Sequence, residues 1–299
     1  MDSVILFALP GNEKLANSIA TQLCCDIGRV NVHHFPDGET YVNIDASVLG
    51  KEVFILATLD HPDEKFFALY FLAKTLREFG AYSVKLIAPY LAYMRQDQRF
   101  QPGDCISSDL FAHLLSSFID ELITIDPHLH RHHSLSEVYS IPIKVLHVAP
   151  LIADWVCINV PNAVLVGPDE ESGQWVSDVA RYASKPFVVL QKIRKSDKDV
   201  TVKVPNISKW KDKVPVLVDD IISTAGTMTE TIGHLKRAGF TNTVAIGVHG
   251  IFADDAFKKL SATGARIATT DSIPHLTNSI TVAGLVANTI SSPVQLQLS

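Results

Sequence analysis

At 299 residues the chain is long enough for about two domains and buries a large core without needing a covalent staple. Its formal net charge of -6, with basic residues scattered along the chain, leaves no electrostatic footprint for DNA or RNA, although local Arg and Lys clusters can still hold a small polyanion. The four cysteines form neither a disulfide framework nor a CxxC metal pattern, and no apolar run approaches the ~20 residues of a membrane span, so a soluble, cytoplasmic protein with reduced thiols is expected.

In chain order, Val4 to Leu9 is an apolar run ended by Pro10. With no basic residues ahead of it, it reads as a first strand and not as a signal peptide. Apolar runs of strand length then alternate with helical spacing throughout. This predicts parallel sheets flanked by helices, an α/β protein. The second half repeats the first. Val4–Glu13 is echoed by Ala163–Glu171, Leu76–Gly80 by Leu235–Gly239, Ile123–His128 by Ile267–His275, and Val148–Ala153 by Val282–Ala287. Four echoes in one order imply a duplicated unit, with a boundary near Val145 to Pro150. The expected domains are 1–147 and 148–299, and the last residues of the second could pack back on the first.

Between the shared segments, the first half carries an insertion, Ala92 to Cys105, that contains Arg95, Gln96, Asp97 and Arg99. Guanidinium forks pair with phosphates and amide groups read polar edges, so this loop suits a nucleotide, whereas its bland reading is a solvated charged loop. Residues 126–133 are rich in histidine but lack regular spacing to a second ligand cluster, so only one histidine is expected to matter. His130, His132 and His133 are assigned to the surface. Lys192 and Arg194 follow the apolar run Phe187 to Leu190 and precede the polar residues 195–199, the pattern of a mobile basic flap.

Residues 219–227 carry the strongest chemical signal. Val214 to Val218 is a strand, Met228 to Ala238 has helical spacing ended by Gly239, and the residues between form a loop of acidic, hydroxyl and small side chains. Carboxyl ends of strands are where open α/β sheets bind ligands. There Ser223, Thr224, Ala225, Gly226 and Thr227 offer backbone N–H groups and a helix N-terminus to a phosphate, and Asp219 and Asp220 offer acceptors to ribose hydroxyls. A plain helix cap would need one such residue, not five. The first half's counterpart, Leu59 to Glu64, has lost the glycine and the threonines, so only the second half should hold a ribose phosphate.

This loop resembles the ribose-phosphate signature of type I phosphoribosyltransferases and of ribose-phosphate pyrophosphokinases. Arg95-Gln96-Asp97 and Phe35-Pro36-Asp37-Gly38-Glu39 resemble motifs of the pyrophosphokinases alone. The resemblance implies two similar type I phosphoribosyltransferase-like domains and the conversion of ATP and ribose 5-phosphate to phosphoribosyl pyrophosphate and AMP. It further implies ATP binding by Arg95, Gln96 and Asp97, and by Phe35, Asp37 and Glu39 of a neighbouring subunit, hence a homo-oligomer with its ATP site at the subunit interface. Mg²⁺ held near His128 and Asp169, and a catalytic pair Lys192 and Arg194, complete what it implies. The family's usual Asp, basic residue, Lys and Gly-Gly stand here as Ser223, Gln98, Asp109 and Glu171-Ser172. A type I phosphoribosyltransferase and a non-catalytic regulatory homologue are the competing readings.

Overall fold

The computed structural model describes residues 3–129, 131–169, 172–196, 199–203 and 207–292. The first half runs β1 (Val4–Ala8), α1 (Glu13–Leu23), β2 (Asp26–His34), β3 (Thr40–Asp45), β4 (Glu52–Leu56), α2 (Pro62–Glu78), β5 (Ser83–Ala88), α3 (Ser107–Ser116), β6 (Glu121–Ile125) and β7 (Ile143–Leu146). The second runs α4 (Ala149–Asn159), β8 (Ala163–Gly167), α5 (Gly173–Ala183), β9 (Phe187–Val189), β10 (Gln191–Ser196), β11 (Asp199–Lys203), β12 (Val214–Ile222), α6 (Gly226–Arg237), β13 (Val244–Gly250), α7 (Ala256–Ala262), β14 (Arg266–Thr270), β15 (Asn278–Ile280) and α8 (Ala283–Ser291). Among the described residues no helix is long and apolar enough to cross a membrane.

The strands make two main sheets, ordered β3-β2-β1-β4-β5-β6-β7 and β15-β14-β13-β12-β8-β9, with β10 and β11 as a separate hairpin. Every pairing in the second main sheet is parallel, and in the first only β3 runs against its neighbour. Matching β2-β1-β4-β5-β6-β7 to β9-β8-β12-β13-β14-β15 superimposes the two orders strand for strand, and each sequence echo falls on equivalent elements. Gly80 and Gly239, which end α2 and α6, both take positive φ, +85° and +94°, a helix exit that only glycine makes without strain. What differs is local. The first unit adds β3 at its edge, the second adds the β10–β11 hairpin, and the loop after β5 (89–106) is much longer than its counterpart after β13 (251–255).

The chain divides into two units, one continuing to Leu146 and resumed at Val282, the other from His147 to Thr281. Thus α8, assigned from sequence to the second domain, packs on α1 of the first, as α4 packs on α5 of the second. Each unit keeps its core under the sheet. Along α2, Leu69, Leu72, Ala73 and Leu76 recur at helical spacing and are fully buried, each leucine contributing roughly 1.5–3 kcal/mol. The β4 and β8 strands are buried on both faces, which is why they read as continuous apolar runs and not as alternation.

Candidate active site

The second unit gathers three carboxylates at the carboxyl end of its sheet. The strand β12 extends to Ile222, pairing with β13 through Ile222 and Gly250. Asp219 and Asp220 are therefore strand residues and not part of the loop expected from their polarity, because ladder hydrogen bonds to a buried neighbour override weak acidic strand propensity. Asp219 is half-buried. Burial first, then the charges of Asp220 and Asp169, push its carboxyl up to about 8. Asp169 follows β8, where its turn is locked by Ser172, whose N–H donates to Asp169 Oδ1 at 3.1 Å and whose hydroxyl donates to the Asp169 carbonyl at 2.7 Å. Ser172 is buried, and Glu171 lies outside the described residues.

The remaining loop is short. Ser223 and Thr224 lead to Ala225, left-handed at φ 58°, and α6 starts at Gly226, two residues before the position expected from spacing. Two backbone bonds brace it from the loop after β13: Phe252 N–H to the Ile222 carbonyl at 3.0 Å and Ala253 N–H to the Ser223 carbonyl at 3.1 Å. In a trans peptide the following N–H points opposite to the carbonyl, so these bonds turn the N–H groups of Ser223 and Thr224 away from their brace. The first backbone bond of α6 is Thr229 N–H to the Ala225 carbonyl, which leaves the preceding N–H groups open for an anion, and the first turn carries no acidic residue.

Lys192 and Arg194 lie on β10, in register with Val202 and Val200 of β11. Their backbone thus forms a hairpin, as a flap requires, while their side chains and residues 197–198 lie outside the described structure.

In the first unit, the turn between β2 and β3 is closed by Phe35 N–H to the Glu39 carbonyl (2.8 Å) and Gly38 N–H to the Phe35 carbonyl (2.8 Å), and Asp37 Oδ1 accepts from Glu39 N–H (3.1 Å). Phe35 is 46% exposed and packs edge-on against His33 and Tyr41. Loop 89–106 is tied to α3 by Gln96, whose side-chain oxygen accepts from Ser107 Oγ (3.1 Å) and whose carbonyl accepts from Ser108 N–H (3.3 Å). Arg95 is exposed. Asp97 is buried and engaged by Arg131. Burial alone would raise its pKa, but the Arg131 hydrogen bonds and charge prevail and hold it below the usual carboxylate range.

His128 is half-buried in the loop after β6. His132 is not the surface residue expected. Its side chain is half-buried, with Nδ1 3.2 Å from Glu137 and Nε2 3.8 Å from Asp109, whereas His133 is exposed and His130 lies outside the described residues. The polarity of the string hid this, since the two carboxylate partners come from other segments. Among the described residues no group of three or more His, Cys, Asp or Glu side chains is gathered to hold a metal.

Sequence reasoning missed Arg131 and the Phe252–Ala253 brace. Only contacts across the fold mark them.

Comparison with known proteins agrees with this layout. Residues 4–118 match the family described as the N-terminal domain of ribose phosphate pyrophosphokinase, and residues 134–264 match the phosphoribosyl transferase domain. The ribose-phosphate pyrophosphokinase of Methanothermobacter thermautotrophicus is 30% identical over 286 residues, covering 95% of this chain and 99% of the relative. That of Thermoplasma acidophilum is 31% identical over 286 residues, covering 96% and 98%. The crystal structure of phosphoribosylpyrophosphate synthetase from Mycobacterium smegmatis has a TM-score of 0.84 at 25% identity, covering 97% of this chain and 98% of that one. The chain belongs to the ribose-phosphate pyrophosphokinase family.

Proposed function

We infer that the protein is a ribose-phosphate diphosphokinase, which transfers the β,γ-diphosphate of ATP to the anomeric hydroxyl of ribose 5-phosphate to give phosphoribosyl pyrophosphate and AMP. One observation carries this reading. A single chain joins a pyrophosphokinase N-terminal domain (4–118) to a phosphoribosyl transferase domain (134–264) that gathers Asp169, Asp219 and Asp220 beside an open helix N-terminus.

In this reading the N–H groups of residues 223–227 hold the 5-phosphate, and Asp219 and Asp220 accept hydrogen bonds from the ribose hydroxyls, fixing the anomeric oxygen for in-line attack on the β-phosphorus. Such a transfer is mainly positioning and charge neutralisation. Lys192 and Arg194, brought over the bound diphosphate by the β10–β11 hairpin, would offset the charge developing as the bond to AMP breaks. Arg95, Gln96 and Asp97 belong to the nucleotide side. The exposed Phe35, with Asp37 and Glu39 on a projecting turn, supports its reaching the ATP of a neighbouring copy, hence a homo-oligomer with shared sites. The substrates imply a cytoplasmic enzyme.

Mg²⁺ fits the donor set. Carboxylate oxygens suit a hard cation, and the repulsion that raises Asp219 is what a dication beside Asp169 would offset. Asp169 and His128 are the residues assigned to hold it, and when bound it neutralises phosphate charge.

Incubation with MgATP and ribose 5-phosphate tests the reading. AMP and phosphoribosyl pyrophosphate should appear in equal amounts. Consumption of phosphoribosyl pyrophosphate with a nucleobase would point instead to a transferase, and no turnover at all to a regulatory homologue.

A further inference from the structure

We propose that Arg131 is a phosphate-binding residue of the nucleotide site, and that Asp97 serves it as an orienting anchor and not as a ligand. This rests on the reading that the loop carrying Arg95 to Asp97 receives ATP.

Asp97 first. Its side chain is 1% exposed, and both carboxylate oxygens are taken, Oδ1 by Arg131 Nη1 at 2.7 Å and Oδ2 by the Arg131 backbone N–H at 3.2 Å. A carboxylate accepts hydrogen bonds but donates none, so it has nothing to offer a phosphate, and its burial closes it to a base. Its surroundings explain it as the partner that holds a cation in place.

That cation is only partly used. A guanidinium carries five N–H donors on a planar fork. One donates to Asp97, and the side chain remains 39% exposed. The Phe100 ring lies 5.5 Å from the guanidinium carbon, so a second group of the same loop restrains the side chain. Phe100 sits on a stiff turn, since Asp104 accepts from the N–H groups of Phe100 (3.2 Å) and Gln101 (2.9 Å), and Arg99 Nε donates to the Asp104 carbonyl at 3.0 Å. Arg131 is thus held on two sides with its unused donors accessible, on the loop after β6, which neighbours β5 in the sheet. A plain surface ion pair would not need a buried acid, a main-chain bond and an aromatic wall. A preorganised fork costs little side-chain entropy on binding, and phosphate is the anion whose paired oxygens match it.

Calorimetric titration of ATP and of adenosine, each with Mg²⁺, into the parent protein and its variants tests this. Arg131→Gln should weaken ATP about tenfold or more, the scale of a charge-assisted hydrogen bond, and leave adenosine unchanged. Arg131→Lys should retain part of the ATP affinity. Because Arg131→Gln strands a buried Asp97, the pair Asp97→Asn with Arg131→Gln supplies a neutral hydrogen-bonded replacement, and its ATP affinity should stay low. Recovery of parental ATP affinity in that pair would overturn the proposal, as would equal weakening of ATP and adenosine by Arg131→Gln. A parent protein that binds no ATP would instead overturn the nucleotide reading, and the inference with it.

Discussion

Asp219 offers the sharpest test of the acidic site, because function there is expected at the expense of stability. Its carboxyl is raised from 3.8 to about 8, by burial and then by Asp220 and Asp169. The native state therefore binds a proton more tightly than the unfolded chain does. Between the two values the folded form holds more protons, so stability falls as pH rises through the interval and levels off above it. At about 1.36 kcal/mol per pKa unit the shift amounts to about 6 kcal/mol if Asp219 carried it alone. Three carboxylates share the repulsion and water reaches the half-buried group, so Asp219→Asn should recover a part, on the order of 2 kcal/mol, at about pH 9. Urea unfolding in EDTA at about pH 5 and about pH 9, parent against variant, isolates this group from others that titrate. The variant should be the more stable at high pH, with the gap narrowing as pH falls. Mg²⁺ should then stabilise the parent more than the variant. An Asn variant no more stable than its parent at about pH 9 would refute the reasoning.

Lys192→Ala or Arg194→Ala should lower turnover by about two to three powers of ten, the scale of one lost transition-state contact, while the melting temperature hardly moves; a large fall in melting temperature would make the pair structural. A mixture of Phe35→Ala/Glu39→Ala subunits with Lys192→Ala subunits should regain activity in an AMP assay if sites are shared between copies, and no recovery after demonstrated subunit exchange would count against it. Away from the site, Glu121 bridges Lys85 (3.1 Å) and Lys144 (2.8 Å). Burial pushes its pKa up, but the hydrogen bonds and charges of Lys144 and Lys85 outweigh it and leave it low. Its contribution is present above the unfolded value of 4.5 and is lost as pH falls below it. Lys144→Met should cost roughly 1–2 kcal/mol in neutral urea unfolding, with the difference shrinking in acid, and an unchanged midpoint would remove the pair from the account.

What could be read from the sequence depended on how local its cause was. The parallel sheets were legible because strands buried on both faces, such as residues 53–57, are continuous apolar runs. The duplication was legible because Gly80 and Gly239 answer the same backbone demand in both halves. Asp219 and Asp220 were misplaced into a loop, since strand pairing at Ile221 and Ile222 depends on β13, whose partners sit more than twenty residues further on. Arg131 escaped notice for a similar reason. Its partner Asp97 is 34 residues away, and within a run of histidines one arginine carries no periodic signal.

The duplication also explains why only one half should hold a phosphate. The two loops share their backbone: His61 and Ala225 both take the left-handed conformation, at φ 51° and 58°, immediately before α2 and α6. Their chemistry is opposite. In the first unit the Thr58 N–H is spent on Asn12 Oδ1 (3.0 Å) and the Leu59 N–H on the Tyr90 carbonyl (3.1 Å), while Lys65 donates to the Thr58 carbonyl and pairs with Asp60. Asp63 and Glu64 occupy the first turn of α2, where they already complement the positive end of the helix and would repel an anion. The first turn of α6 carries no carboxylate. A helix N-terminus attracts an anion only while its partial charge is left uncompensated. The first unit has used that charge for its own stability, and the second keeps it open, with its carboxylates set back on β12.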